Sequence, residues 1–427
     1  MKLNRTQHPA YNKIKNIVFP EIEKVTLDNN IPLYILNGGT QPVLKLDVMV
    51  NAGALFSAKK LIAPLTGLLL NEGTKSKTAH QIAEVFDFYG AYFQPLVEKD
   101  MAYCGLISLS KHLEKTLPLF NEVVNDSIFP EKEVELMLKR RKQNFLIESK
   151  KTSFVAKELF NKQLFGAKHP YGITTEVNDY SSTTANELFD FYKKHYHAGN
   201  YQIILSGKVT QNEIALLNRH LGQTPQKPKA DLPIIKPNPV IGGAPVVSIK
   251  DDAVQSSIRL GLLTINKSHN DYLGLKILIT IFGGYFGSRL MKNIREDKGY
   301  TYGIHSMLVS LFNSGYIGIA ADVKTQHTNE AIAEIKKEMV KLREDKISFG
   351  ELNLVQNYMM GEMLQMFDGP FATSDSFKAV LQYNMGFEYF EKMKQEILSI
   401  TPEKIQNLAV KYFNTDKLIT VVAGKFE

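Results

Sequence analysis

The segment NIREDKGYTYGIHS, Asn293 to Ser306, gathers Arg295, Tyr300 and Tyr302 around Gly299. A guanidinium is a planar fork of donors that can hold a peptide carbonyl or carboxylate. A phenol can donate to a carbonyl oxygen as that oxygen gains negative charge. Just upstream, GGYFGSRL carries Gly283, Gly284 and Gly287, which permit close approach of backbone or ligand. This run lacks the G-K-[ST] ending of a phosphate loop. The residue types also admit a plainer arrangement, in which Arg295 pairs with Glu296 or Asp297 and Tyr302 packs in a core. Tyr285 and Phe286 read as packing residues.

Few other residues offer chemistry. No two of the ten histidines are four apart, and His195 and His197 sit two apart beside a helix end, a poor arrangement for a metal. The single cysteine, Cys104, excludes an internal disulfide and a multi-cysteine zinc site. It lies in the apolar run AYCGLISL and reads as a small core residue. The net charge of +7 is spread along mixed-sign helices such as AIAEIKKEMVKLRED, which argues for solvated faces and against a nucleic-acid groove. No segment reaches the roughly 18 uninterrupted apolar residues of a membrane span. The N-terminal stretch lacks an apolar signal core, so a cytoplasmic location is expected.

The elements that must position these residues occur twice. A chain of 427 residues exceeds one ordinary core, and its 44% hydrophobic and 22% charged composition is that of a folded protein. YCGLISLSKHLEKTLPLFNEVV, from Tyr103, lies over YIGIAADVKTQHTNEAIAEIKK, from Tyr316: an alternating strand followed by an amphipathic helix. FYKKHYHAGNYQIILSGKV, from Phe191, lies over LAVKYFNTDKLITVVAGKF, from Leu408, with Gly207 and Lys208 facing Gly424 and Lys425. Between the copies, GQTPQKPKADLPIIKPNPVIGGAP has the proline content of an extended linker. The expected organisation is an N-terminal domain over residues 1–221, a linker over 222–245 and a C-terminal domain over 246–427. Each domain is expected to be α+β, an antiparallel-type sheet covered by helices.

These segments resemble the inverted-zinc-motif peptidases, the family of pitrilysin, insulysin and the mitochondrial processing peptidase. VMVNAGALF, NEGTKSKTAHQIAEVFDFYGAYFQ, KHPYG (Lys168 to Gly172) and HYHAGNYQIILSG are similar to successive family segments across the N-terminal half. GGYFGSRLMKNIREDKGYTYGIHS is similar to the segment that in these enzymes contacts peptide substrate. Active members carry H-x-x-E-H, whose two histidines share a helix face and whose glutamate activates water. The corresponding positions here read Pro64-Leu65-Thr66-Gly67-Leu68, and neither Pro64, Gly67 nor Leu68 can ligate zinc or act as base. Glu148 matches the family's distal zinc-binding glutamate, an isolated remnant, since a catalytic site needs about three protein ligands.

The resemblance implies half of a clam-shaped peptidase chamber and a non-catalytic, substrate-binding subunit of a heterodimeric zinc metallopeptidase that degrades or processes unfolded peptides. Zinc would come from a sibling subunit, while Arg295 and Tyr302 would contact the peptide. Two other readings stand beside it: a structural subunit like the core proteins of the respiratory bc1 complex, and a peptide-binding homodimer without peptidase activity.

Overall fold

The computed structural model describes Thr6, Ile14 and residues 17–240 and 243–426. Most of the N-terminal stretch read above for a signal core, and two residues of the expected linker, lie outside these. Among the described residues, no helix is long and apolar enough to cross a membrane.

Two mixed sheets form, one on each side of residues 222–245. The first contains β1 (Glu23–Thr26), β2 (Pro32–Asn37), β3 (Val43–Val50), β4 (Tyr92–Val97), β5 (Ala102–Leu109) and β6 (Tyr201–Gly207), in the order β1-β2-β6-β3-β5-β4. The second contains β7 (Val246–Ile249), β8 (Gln255–Thr264), β9 (Thr301–Leu311), β10 (Ser314–Lys324) and β11 (Ile419–Gly424), in the order β7-β11-β8-β10-β9. Apart from β1, the two orders coincide position by position. Each has one parallel pair, β2 with β6 and β7 with β11. The internal sequence similarity is therefore a repeat of topology, and it makes β4 and β9 equivalent edge strands.

The helices begin where local chemistry directs. Thr78 and Gln81, Thr184 and Glu187, and Thr210 and Glu213 form reciprocal capping boxes. The first half supplies α1 (Ile62–Leu68), α2 (Ala79–Phe88), α3 (Leu113–Asn125), α4 (Glu131–Glu148) and α5 (Thr152–Phe165). Along β3, Leu44, Leu46, Val48 and Val50 join the core formed with the first half's own helices. With a side-chain period of two, Lys45, Asp47 and Met49 must face the other way. That second face is also buried.

What covers it comes from the other half of the chain. Helix Gly369–Leu381 packs on β2 and β6 of the first sheet, while α5 packs on β8 and β11 of the second. Phe160, Leu164 and Phe165 of α5 share a core with Ile419, Val421 and Ala423 of β11. The expected α+β arrangement of two sheets covered by helices is present, and each sheet also borrows a helix from the other half for its second face. The two lent helices follow equivalent long helices, α4 and Phe349–Met366, so the exchange is itself symmetric.

Ionic and polar contacts fix this exchange. Lys45 reaches Asp375 at 2.6 Å, and Lys378 reaches Asp47 at 3.1 Å and Asp375 at 2.7 Å. Burial works against the charge on Lys378, yet Asp47 and Asp375 more than offset it and raise its pKa. The expected linker is extended but not loose. Asn238 and Val240 donate to Phe165 O and Gln163 O at 3.0 and 2.9 Å, and Pro233 O accepts from Asn313 at 2.6 Å.

Candidate functional site

Arg295 lies in a helical stretch with wide, π-type turns, Met291–Asp297, and Tyr302 is the second residue of β9. Gly299, at φ 64°, turns the chain between them, and Tyr300 donates from its backbone to Ile294 O at 3.0 Å, closing the turn. The Arg295 guanidinium lies 4.6 Å from the ring centre of Phe286, and among the described residues it forms no ion pair with Glu296 or Asp297. Phe286 is itself 64% exposed, so it is a platform for the arginine rather than a core residue. That corrects the expectation that it packs. Tyr302 is 85% exposed, which rules out the core position.

The remaining members of the opening segment have structural duties. Tyr300 stacks on His327 with ring centres 4.4 Å apart. Tyr285 packs on Tyr358 at 5.0 Å. Arg289 holds Glu351 with both arms of its fork, at 2.8 and 2.9 Å, and so ties the glycine-rich run to helix Phe349–Met366. An open cleft of about 700 Å³ adjoins this pair. Its Glu334, Glu338 and Glu351 are already bound to Lys298, Lys341 and Arg289.

At the positions of the zinc motif, α1 packs between β4 and helix Ala185–His195. Pro64 and Leu68 are half-buried and Gly67 is buried. A Cβ at Gly67 would overlap the Cγ2 methyl of Val97 on β4 and would lie 3.5 Å from the Tyr196 hydroxyl. The space where the family's glutamate side chain would emerge is therefore filled by a neighbouring strand. Glu148 ends α4, close to half exposed, and pairs with Lys151 at 2.6 Å. No group of three or more His, Cys, Asp or Glu that could hold a metal occurs among the described residues. These residues do not fit a zinc ion.

His195 and His197 are both buried. His195 lies against Phe191 and Phe56, with ring centres 4.5 and 5.3 Å away, and burial lowers its pKa to about 4. His197 contacts the Asn200 amide at 3.2 Å. Cys104 is buried in the first sheet, and burial pushes its thiol pKa up.

Sequence reading missed a polar seam beside the β4–β5 turn. Asp100 accepts the Tyr171 hydroxyl from the first half and the Phe312 N–H, at 3.1 Å, from the β9–β10 turn. Burial raises its pKa to about 6, against the opposing hydrogen bonds. The Lys99 ammonium lies 4.9, 5.0 and 5.6 Å from the ring centres of Phe165, Tyr316 and Tyr171, and burial lowers its pKa to about 8. The only hint in the sequence was KHPYG, which supplies Tyr171.

Residues 182–359 match the family described as Peptidase M16 inactive domain. A Mycobacterium leprae protein named uncharacterized zinc protease is 25% identical over 351 residues, 81% of this chain and 78% of that one. A Bacillus subtilis protein of the same description is 21% identical over 414 residues, 94% of this chain and 98% of its own. A solved peptidase M16 inactive domain from Pseudomonas fluorescens superposes with a TM-score of 0.86 at 24% identity, covering 95% of this chain and 98% of its own. Residues 182–359 are thus similar to the Peptidase M16 inactive domain, and the chain as a whole has the two-sheet α+β fold of a solved M16 protein along nearly its whole length.

Proposed function

We propose that this chain is the substrate-binding, non-catalytic subunit of a heterodimeric zinc peptidase acting on unfolded peptides, and that the zinc, water-activating glutamate and histidines come from a sibling subunit. The observation that carries this reading is a contrast within one chain. The motif positions hold Pro64, Gly67 and Leu68 with Val97 closing the space, whereas Tyr302 and the Phe286 ring that carries the half-buried Arg295 stand open to solvent. An exposed aromatic ring carrying a half-buried arginine is costly to keep for packing alone, and it suits a peptide backbone.

In this reading Arg295 holds a substrate carbonyl or carboxylate with its fork, steadied by the Phe286 ring. Tyr302 donates its phenolic proton to a peptide carbonyl near the attacked bond. The chain also forms one side of the enclosure that limits access to unfolded peptides.

The test is reconstitution with a sibling that carries an intact H-x-x-E-H and that co-purifies one to one from the native cell. Arg295→Ala and Tyr302→Phe should lower kcat/KM without affecting folding or association, by on the order of 10²–10³ where a donor to a developing oxyanion is lost. Arg295→Lys asks whether the fork, rather than the charge, is needed. Unchanged kcat/KM in both Arg295→Ala and Tyr302→Phe would assign the pair to structure and favour a scaffold role. One zinc per chain in a sibling-free preparation would overturn the division of labour.

A further inference from the structure

Tyr302 should not be exposed by the ordinary alternation of a strand. Ile304 and Ser306 of β9 face the core, at 2% and 6% exposure, and in a regular strand Tyr302 would share their face. It does not, because β9 contains one extra residue. Ile304 stands opposite Ala321 and Thr301 opposite Val323, so Tyr302 and Gly303 together face Asp322 alone. This β-bulge turns Thr301 back into the core, where it is 7% exposed, and sends Tyr302 to the opposite face with His305, Arg259 and Asp322. A one-residue change of register moves a side chain from one face of a sheet to the other.

An extra residue leaves backbone groups out of the ladder, and here one hydroxyl takes them up. Thr301 Oγ1 accepts the Gly303 N–H at 3.1 Å, and its own proton has two carbonyls within reach, Asp322 O at 2.7 Å and Gly303 O at 2.9 Å. The hydroxyl therefore ties both arms of the bulge to the facing strand, inside a buried site where an unpaired group is costly. A valine would have the same shape and β propensity without this bond. Among the described residues, Tyr302 has no such anchor of its own.

We propose that Thr301 is the positioning residue for Tyr302: its hydroxyl closes the bulge that presents the phenol to solvent at the β9 edge, on the sheet face that α5 covers over β8 and β11. This rests on the reading of Tyr302 as a peptide-contacting group. It also gives the segment KGYTYG a meaning that residue types alone do not, since the threonine between the two tyrosines decides which face each takes. Tyr300 stays half-buried on His327 and Tyr302 goes out.

The test uses the full chain and fluorescein-labelled casein peptides, with affinity read by anisotropy. Thr301→Val should weaken binding about three- to tenfold, the range expected for one buried hydrogen-bonding group acting on a contact residue. Thr301→Ser should bind like the wild type. In a Tyr302→Ala background, Thr301→Val should have no further effect, because Thr301 acts through Tyr302. Equal binding by the valine and serine variants overturns the proposal, and so does an equal loss with Tyr302 absent. Thr301→Ala replaces the valine if that variant does not fold. If the wild-type chain binds no casein peptide, the functional reading of Tyr302 fails on its own. Positioning is then judged by Tyr302→Trp, which gives a chain without tryptophan a single indole reporter. Acrylamide should quench this indole freely in the otherwise wild-type chain and with Thr301→Ser, and less with Thr301→Val. Unchanged quenching overturns the proposal.

Discussion

Replacing Gly67 by alanine should change the sign of its effect according to what stands at position 97. In a helix, alanine is favoured over glycine by up to about 1 kcal/mol, because glycine loses more backbone freedom on folding. Against this, the added methyl would overlap Val97 Cγ2. Valine is stiff about χ1, so the strand or α1 must shift, and such overpacking costs about 1–3 kcal/mol. Gly67→Ala is therefore expected to destabilise the protein by up to about 2 kcal/mol, and to stabilise it by up to about 1 kcal/mol when Val97→Ala is also present. Urea denaturation of the four proteins, with unchanged m values, gives a coupling of about 1–3 kcal/mol. Gly67→Ala having the same effect in both backgrounds would refute the reasoning. A glutamate at position 67 is larger still, so rebuilding the zinc motif meets this obstacle before any question of ligation.

Two further outcomes follow from buried charge. Asp100 titrates near 6 in the fold and near its ordinary 3.8 when unfolded, so the folded state holds its proton more tightly. The stability this gives is present below pH 3.8 and is lost as pH rises through about 6, on the order of 2–3 kcal/mol. The stability of Asp100→Asn minus that of the wild type should therefore grow across this window, and parallel pH profiles by chemical denaturation would count against the assignment. In the exchanged-helix network, Asp47→Ala leaves Lys378 buried with one partner fewer and should cost about 3–5 kcal/mol. Asp375→Ala, at a side chain 57% exposed, should cost about 1 kcal/mol or less. Equal losses in urea denaturation would show that burial of Asp47 is not what matters.

Much of the architecture was legible because it rests on local patterns. Alternating strands and the doubled segments at Tyr103 and Tyr316 predict two like halves, and the sheets have coincident strand orders apart from β1. The family resemblance and the lack of zinc ligands at Pro64, Gly67 and Leu68, with Glu148 left isolated, could also be read from residue identity and spacing. Lys45 and Asp47 alternate with apolar residues along β3 as solvent-facing charges would, yet both are buried. Only an apposed surface explains them.

That surface, and three other features, were decided by tertiary structure. A sequence shows the period of a strand but not which partner residue it faces, so the extra residue at Tyr302 and Gly303, which appears only as a jump in register against Asp322, could not be inferred. Phe286 looks like any core aromatic until the fold leaves it outside with Arg295 upon it. Val97 and Gly67 are far apart in the chain, and their contact exists because α1 lies against an edge strand. The exchanged helices have apolar faces that any sheet would satisfy, and the sequence records that each must be covered. Which sheet covers it is fixed by the geometry of the closed chain and by the few charges, Lys45, Asp47, Asp375 and Lys378, that find partners in only one arrangement.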